Sequence, residues 1–94
     1  MNTMTPLTRY WFTFERSEKP GTINLGCGVS AYDYGDAINI LRDYIFGANG
    51  PPPILHYIED VDISTLDANH VLPNLGVPFV RGVWFPRGYE RIRH

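Results

Sequence analysis

Cysteine is nearly absent. Cys27 stands alone, which excludes an internal disulfide and any all-cysteine metal site and fits a reducing compartment. Long apolar runs are absent too: no stretch approaches the roughly 18 residues that a membrane span needs, so the sequence predicts a soluble chain without membrane association. Residues 1–9 carry neither a basic start nor an apolar stretch of signal-peptide length, and with the lone thiol they predict a cytoplasmic protein. Charge is sparse: 8 Lys/Arg stand against 10 Asp/Glu, a formal net charge of -2. That balance argues against nucleic acid as a partner, while 44% hydrophobic and 14% aromatic residues are too many for a disordered chain. No repeat, low-complexity tract or linker divides the 94 residues, so a single domain spans 1–94, with 1–8 and 87–94 expected as flexible ends.

What is present is alternation. Tyr10, Phe12 and Phe14 fall on one face of a strand over Arg9 to Glu15, with Trp11 and Thr13 on the other. After a turn at Arg16 to Gly21, Ile23, Leu25, Cys27, Val29 and Ala31 alternate with Asn24, Gly26, Gly28 and Ser30. The second strand therefore has one apolar face and one nearly bare, against which something must lie close. Asp33 is a helix N-cap with Asp36 three residues on, and Ala37, Ile40, Leu41, Tyr44 and Ile45 form an apolar stripe over Tyr34 to Phe46, ended by Gly47. Pro51 to Pro53 feed a third strand over Ile54 to Ile63. Ser64 to Val77 reads as a long loop with one helical turn capped by Ser64, and Phe79 to Phe85 as a fourth strand. In that strand Phe79, Val83 and Phe85 face one way and Val80 and Trp84 the other. The order ββαββ predicts an α+β, two-layer domain: one helix on a four-stranded, mostly antiparallel sheet, β-grasp-like in its layout.

The candidate sites are few. Gly26, Gly28 and Ala31 formally match the dinucleotide fingerprint, but no βαβ repeat surrounds them and the acid expected about 20 residues on is missing. Cys27, with His56 or His70 as a base, falls among apolar residues and reads as a core side chain. Asp60, Asp62, Asp67 and His70 carry the donor types of a divalent-metal site, although the calcium-loop pattern fails at Thr65 and Val71. Arg81, Arg87, Arg91 and Arg93 oppose Glu90 alone, a basic end facing the acidic run Glu59 to Asp67. Trp11, Val80 and Trp84 are left over once the face beneath the helix is filled. Uncovered, they make an adhesive patch; the structural alternative is that the loop Ser64 to Val77 folds back over them.

The phrases GCGVSAYDYGDA (26–37), EDVDISTLDANHVLPN (59–74) and RGVWFPRGY (81–89) resemble a family of short, uncharacterised bacterial single-domain proteins over nearly the whole chain. The resemblance implies an intact single domain in a bacterial cytoplasm and carries no activity, cofactor or catalytic residue. From the residues, the leading expectation is a non-catalytic interaction or adaptor module. It would dock a protein partner or a second copy through Trp11 and Trp84, with Arg81, Arg87 and Tyr89 beside them. The alternative is a small metal-dependent enzyme using Asp60, Asp62, Asp67 and His70.

Overall fold

The computed structural model describes residues 6–15 and 22–86. Four strands, β1 (Thr8–Phe14), β2 (Cys27–Ala31), β3 (Ile54–Glu59) and β4 (Gly82–Phe85), form one sheet in the order β3-β1-β2-β4, and all three pairings are antiparallel. Among the described residues one α-helix, α1 (Tyr34–Leu41), packs on it, so the domain is α+β with the element order ββαββ. No helix among the described residues is long and apolar enough to cross a membrane.

Strand order dictates what covers each face. β2 and β3 flank β1, so the chain between them must cross β1, and it does so as the helix. Asp33 caps α1 by accepting the Asp36 backbone N–H at 2.8 Å. The helix continues through one wider π-type turn, Arg42–Phe46, which closes with the Gly47 N–H on the Arg42 carbonyl at 2.7 Å. Gly47 leaves it at φ +83, a conformation glycine adopts without steric cost. Ala37, Ile40 and Leu41 are buried against Tyr10, Phe12, Phe14, Cys27, Val29, Ala31 and Val83, and Tyr44, Ile45 and Phe46 pack at the margin. The apolar stripe legible at helical spacing is the one that is buried.

β3 and β4 lie at opposite edges, so the chain over 60–81 must cross the sheet as well, on the face the helix leaves open. Trp11 and Trp84 meet there with ring centroids 6.0 Å apart, joined by Val61, Val71 and Phe85 and flanked by Ile63, Leu66 and Leu75. The expectation of an exposed tryptophan face is thereby corrected. Trp11 is 7% and Trp84 0% exposed, because the loop folds over them and gives the sheet a second core. The bare face of β2 receives this core. A Cβ built on Gly28 would clash with three atoms of the Trp84 ring, and one on Gly26 with the Trp11 ring and the Phe12 carbonyl.

Several boundaries differ from the sequence reading. β2 begins at Cys27, because Thr22–Leu25 turns as a 3-10 helix. β3 stops at Glu59, where Asp60 takes φ +54 and turns the chain beneath the sheet. The turn at Ile63–Thr65 is capped by Asp62, whose carboxylate accepts the Ser64 N–H and hydroxyl, and not by Ser64. β4 is only Gly82–Phe85, preceded by turns that leave Phe79 and Val80 exposed. Its pairing with β2 shifts register between Gly28 and Val29, so that Phe85 faces Gly28 and Val83 faces Val29. This bulge sends Val83 to the helix side and both Trp84 and Phe85 to the other, where strict alternation had put Phe85 beside Val83. The turn expected at Arg16 to Gly21 and the chain ends lie outside the described residues.

The packing at Gly28 makes a stability prediction. Gly28→Ala forces a methyl group into a buried indole and is expected to lower the unfolding free energy by about 2–3 kcal/mol. Gly35→Ala, at a helix position where the new methyl meets nothing closer than 3.6 Å, should raise it by about 0.5 kcal/mol. Urea midpoints at constant slope measure both, and a Gly28→Ala midpoint equal to wild type would contradict the close-packed second core.

Candidate interaction surface

The covering loop is tied down at several points. The Val61 N–H donates to the Arg9 carbonyl at 3.0 Å and the Gly76 N–H to the Trp84 carbonyl at 2.7 Å. Ser30, buried on the loop side of β2, donates its hydroxyl to the Pro78 carbonyl at 2.7 Å. Arg81 grips Asp36 with two guanidinium nitrogens, Nε at 2.9 Å, and lies over the Tyr32 ring at 5.5 Å. Asp36 in turn accepts the Tyr32 N–H at 3.0 Å, so one carboxylate joins the helix start to the loop end. The Arg81 hydrogen bond holds the Asp36 carboxyl below its ordinary range, with the Tyr32 N–H adding to the effect.

These ties place the expected site residues. Arg81, read as part of a docking patch, is an intramolecular clamp. Arg87 and Tyr89 lie outside the described residues. Cys27 is buried in the helix-side core, where desolvation pushes its thiol up to about 12, so it stays protonated and unreactive at neutral pH.

The four expected metal ligands do not converge. Asp67 accepts the Asn69 and His70 N–H groups and meets the His70 ring at 3.2 Å, contacts that hold its carboxyl below the ordinary range. The bonds Asp62 accepts from Ser64 do the same, helped by the field of Arg9. Both carboxylates are thus occupied in fixing turns, and among the described residues no group of three or more His, Cys, Asp or Glu side chains comes together to hold a metal ion.

What the loop presents outward is apolar. Between the tie at Pro78 and the clamp at Arg81, Phe79 is 77% and Val80 60% exposed, and Val77 just before them is 57% exposed. Phe79 and Pro78 line an open groove of about 500 Å³ together with Arg9, Asp60, Asp62 and Ser64. The Arg9 Nε is buried without a hydrogen-bond partner. Asp60 and Asp62 stand in the same groove as Arg9 and oppose its charge, so what this surface offers a partner is the exposed aromatic ring of Phe79 beside a polar rim.

Sequence reasoning missed Phe79 because the strand read over Phe79 to Phe85 set it beside Val83 on the face beneath the helix, and Arg9 because it opened the first strand. The usable signal for Phe79 was the punctuation by Pro78 and Gly82, which breaks the alternation on both sides. No protein-family model matches the chain, and no curated protein or solved structure matches it either.

The clamp gives a pH prediction. Because the folded-state pKa of Asp36 is depressed, the pair contributes stability above the unfolded carboxyl value of about 3.9 and loses that contribution as pH falls through the lower folded value. Asp36→Asn should therefore cost about 1–2 kcal/mol at pH 7. It should also lose less stability than wild type on acidification below about pH 4. Urea titrations at pH 7 and in acid test this; parallel losses in the two proteins would remove the assigned role.

Proposed function

We propose that the protein is a non-catalytic protein-binding module whose docking surface is the ridge Val77 to Val80, with Phe79 as its anchor. The observation that carries this reading is the exposure of Phe79 on a segment pinned at both ends, by Ser30 on Pro78 and by Asp36 on Arg81. An aromatic side chain held out on a rigid support gives up little freedom on binding, which is how interface anchors contribute most of their affinity. The groove beside it, lined by Arg9, Asp60, Asp62 and Ser64, supplies a polar rim to that apolar anchor. Support also comes from the chemistry: the buried thiol is held protonated, and the shifted carboxyl groups of Asp36, Asp62 and Asp67 all move toward the ionised form, which suits hydrogen-bond acceptors better than proton donors. A bacterial cytoplasmic setting agrees with the single unpaired cysteine and with the resemblance over residues 26–89.

The test is selection from a random peptide library displayed on phage, with counter-selection against Phe79→Asp. Enriched peptides should carry an apolar residue that docks against Phe79. Phe79→Asp should weaken their binding at least about tenfold, and, at an exposed position, should leave the unfolding free energy within about 0.5 kcal/mol of wild type. Peptides that bind Phe79→Asp as well as wild type, or no enrichment at all, would refute the proposal.

A further inference from the structure

The sheet has two edges, and they are treated differently. β4 is four residues long, is bulged at Trp84, and has the Trp84 carbonyl already taken by Gly76 of the loop. β3 is six residues long, pairs only with β1 among the described residues, and is exposed from Leu55 to Glu59. Leu55 is 55%, Tyr57 46% and Ile58 48% exposed. The devices that normally blunt an edge are scarce here. Residues 54–59 contain no lysine, arginine or proline, Glu59 is the only charge, and the one irregularity in register falls beside Leu55, which leaves His56–Glu59 in unbroken register.

We infer that β3 is a self-association edge, pairing antiparallel with β3 of a second copy about a two-fold axis at Tyr57. The strand's own pattern selects this occupant. A two-fold axis normal to the sheet keeps the helix faces on one side, so only residues on the same face can stand opposite each other. Centring on Tyr57 sets Tyr57 opposite Tyr57 and His56 opposite Ile58. It also puts the two Glu59 side chains at opposite ends, about 13 Å apart at 3.3 Å per residue, so no like charges meet. Tyr57 is already the outer member of an aromatic row on the helix side, with its ring centroid 4.7 Å from Tyr34, 6.0 Å from Phe12 and 6.5 Å from Tyr10. A second copy continues that row across the junction, with cross-strand aromatic contact as well as main-chain hydrogen bonds. A strand-only junction is small, so the association is weak and depends on concentration.

This inference is independent of the docking ridge, and its test keeps the two apart. Sedimentation velocity from about 1 to 300 μM should show a dimer fraction that rises with concentration, since weak edge pairing sits in the micromolar range. Ile58→Lys, at an exposed position, should raise the dissociation constant more than about tenfold, while Phe79→Asp leaves it unchanged. Under mild oxidation Tyr57→Cys should form a disulfide-linked dimer, because opposed residues in antiparallel strands lie about 4.5–5.5 Å apart at Cα, within disulfide reach. Val80→Cys, also exposed, serves as the control, and the buried Cys27 leaves the wild type as a blank. A monomer across the whole range would leave the edge to a strand of a different protein and overturn the assignment. So would a dimer indifferent to Ile58→Lys, or a Tyr57 cross-link no faster than the one at Val80.

Discussion

The indole of Trp84 packed close against Gly28 is the contact on which the second half of the structure depends. Any side chain at position 28 would lift the ring, and with it the layer built on Trp11, Phe85, Val61 and Val71. β4 could then no longer place Trp84 beneath the loop, and the ties at Gly76 and Pro78 would lose their register. The glycine contributes by having no Cβ: the missing volume is what lets a tryptophan approach the backbone of a central strand. The register shift opposite Gly28 belongs to the same arrangement, since it turns Phe85 to the side where Trp11 waits with ring centroids 5.5 Å apart.

Much of the helix side was legible in the sequence because it obeys local periods. The period-two alternation of Tyr10, Phe12 and Phe14, the Asp33 cap with Asp36 behind it, and the stripe Ala37, Ile40 and Leu41 are each decided by neighbours a few residues away. The bare face of β2 was legible as well, as a demand for a close neighbour, although nothing local named Trp84. The loop side was not legible for the opposite reason. Its conformation is set by partners far along the chain, Ser30 with Pro78 and Asp36 with Arg81, which leave no local pattern. Phe79 and Val80 alternate like strand residues, yet those ties hold them in turns. The bulge at Trp84 then breaks the parity on which the reading of Phe85 rested.

The candidate site shows the same division. The surplus of aromatic residues was real, and it correctly signalled that the sheet has more apolar surface than one helix covers. Its location was misread: Trp11 and Trp84 satisfy each other, and exposure passes to the residues that cover them. The acidic run was likewise real in composition, but Asp62 and Asp67 are occupied by the backbone and side-chain donors of their own turns. A sequence states donor types and spacing, whereas a ligand site needs free valence, and that is fixed by tertiary contacts.

The layout has a consequence for the birth of the molecule. β4 comes last among the described strands, so a nascent chain that has not yet reached Gly82 has a helix side that lacks only Val83 and a second side still without Trp84 and Phe85. The hairpin and helix can assemble their core while the glycine-lined side of β2, with Trp11 beside it, still faces water. That interval, the time a ribosome takes to add the stretch from Asp60 onward, is when the chain is most exposed to wrong association. Folding speed is limited by the same geometry, because the contacts that seal the second side join residues far apart in the chain, and such long closures are slow.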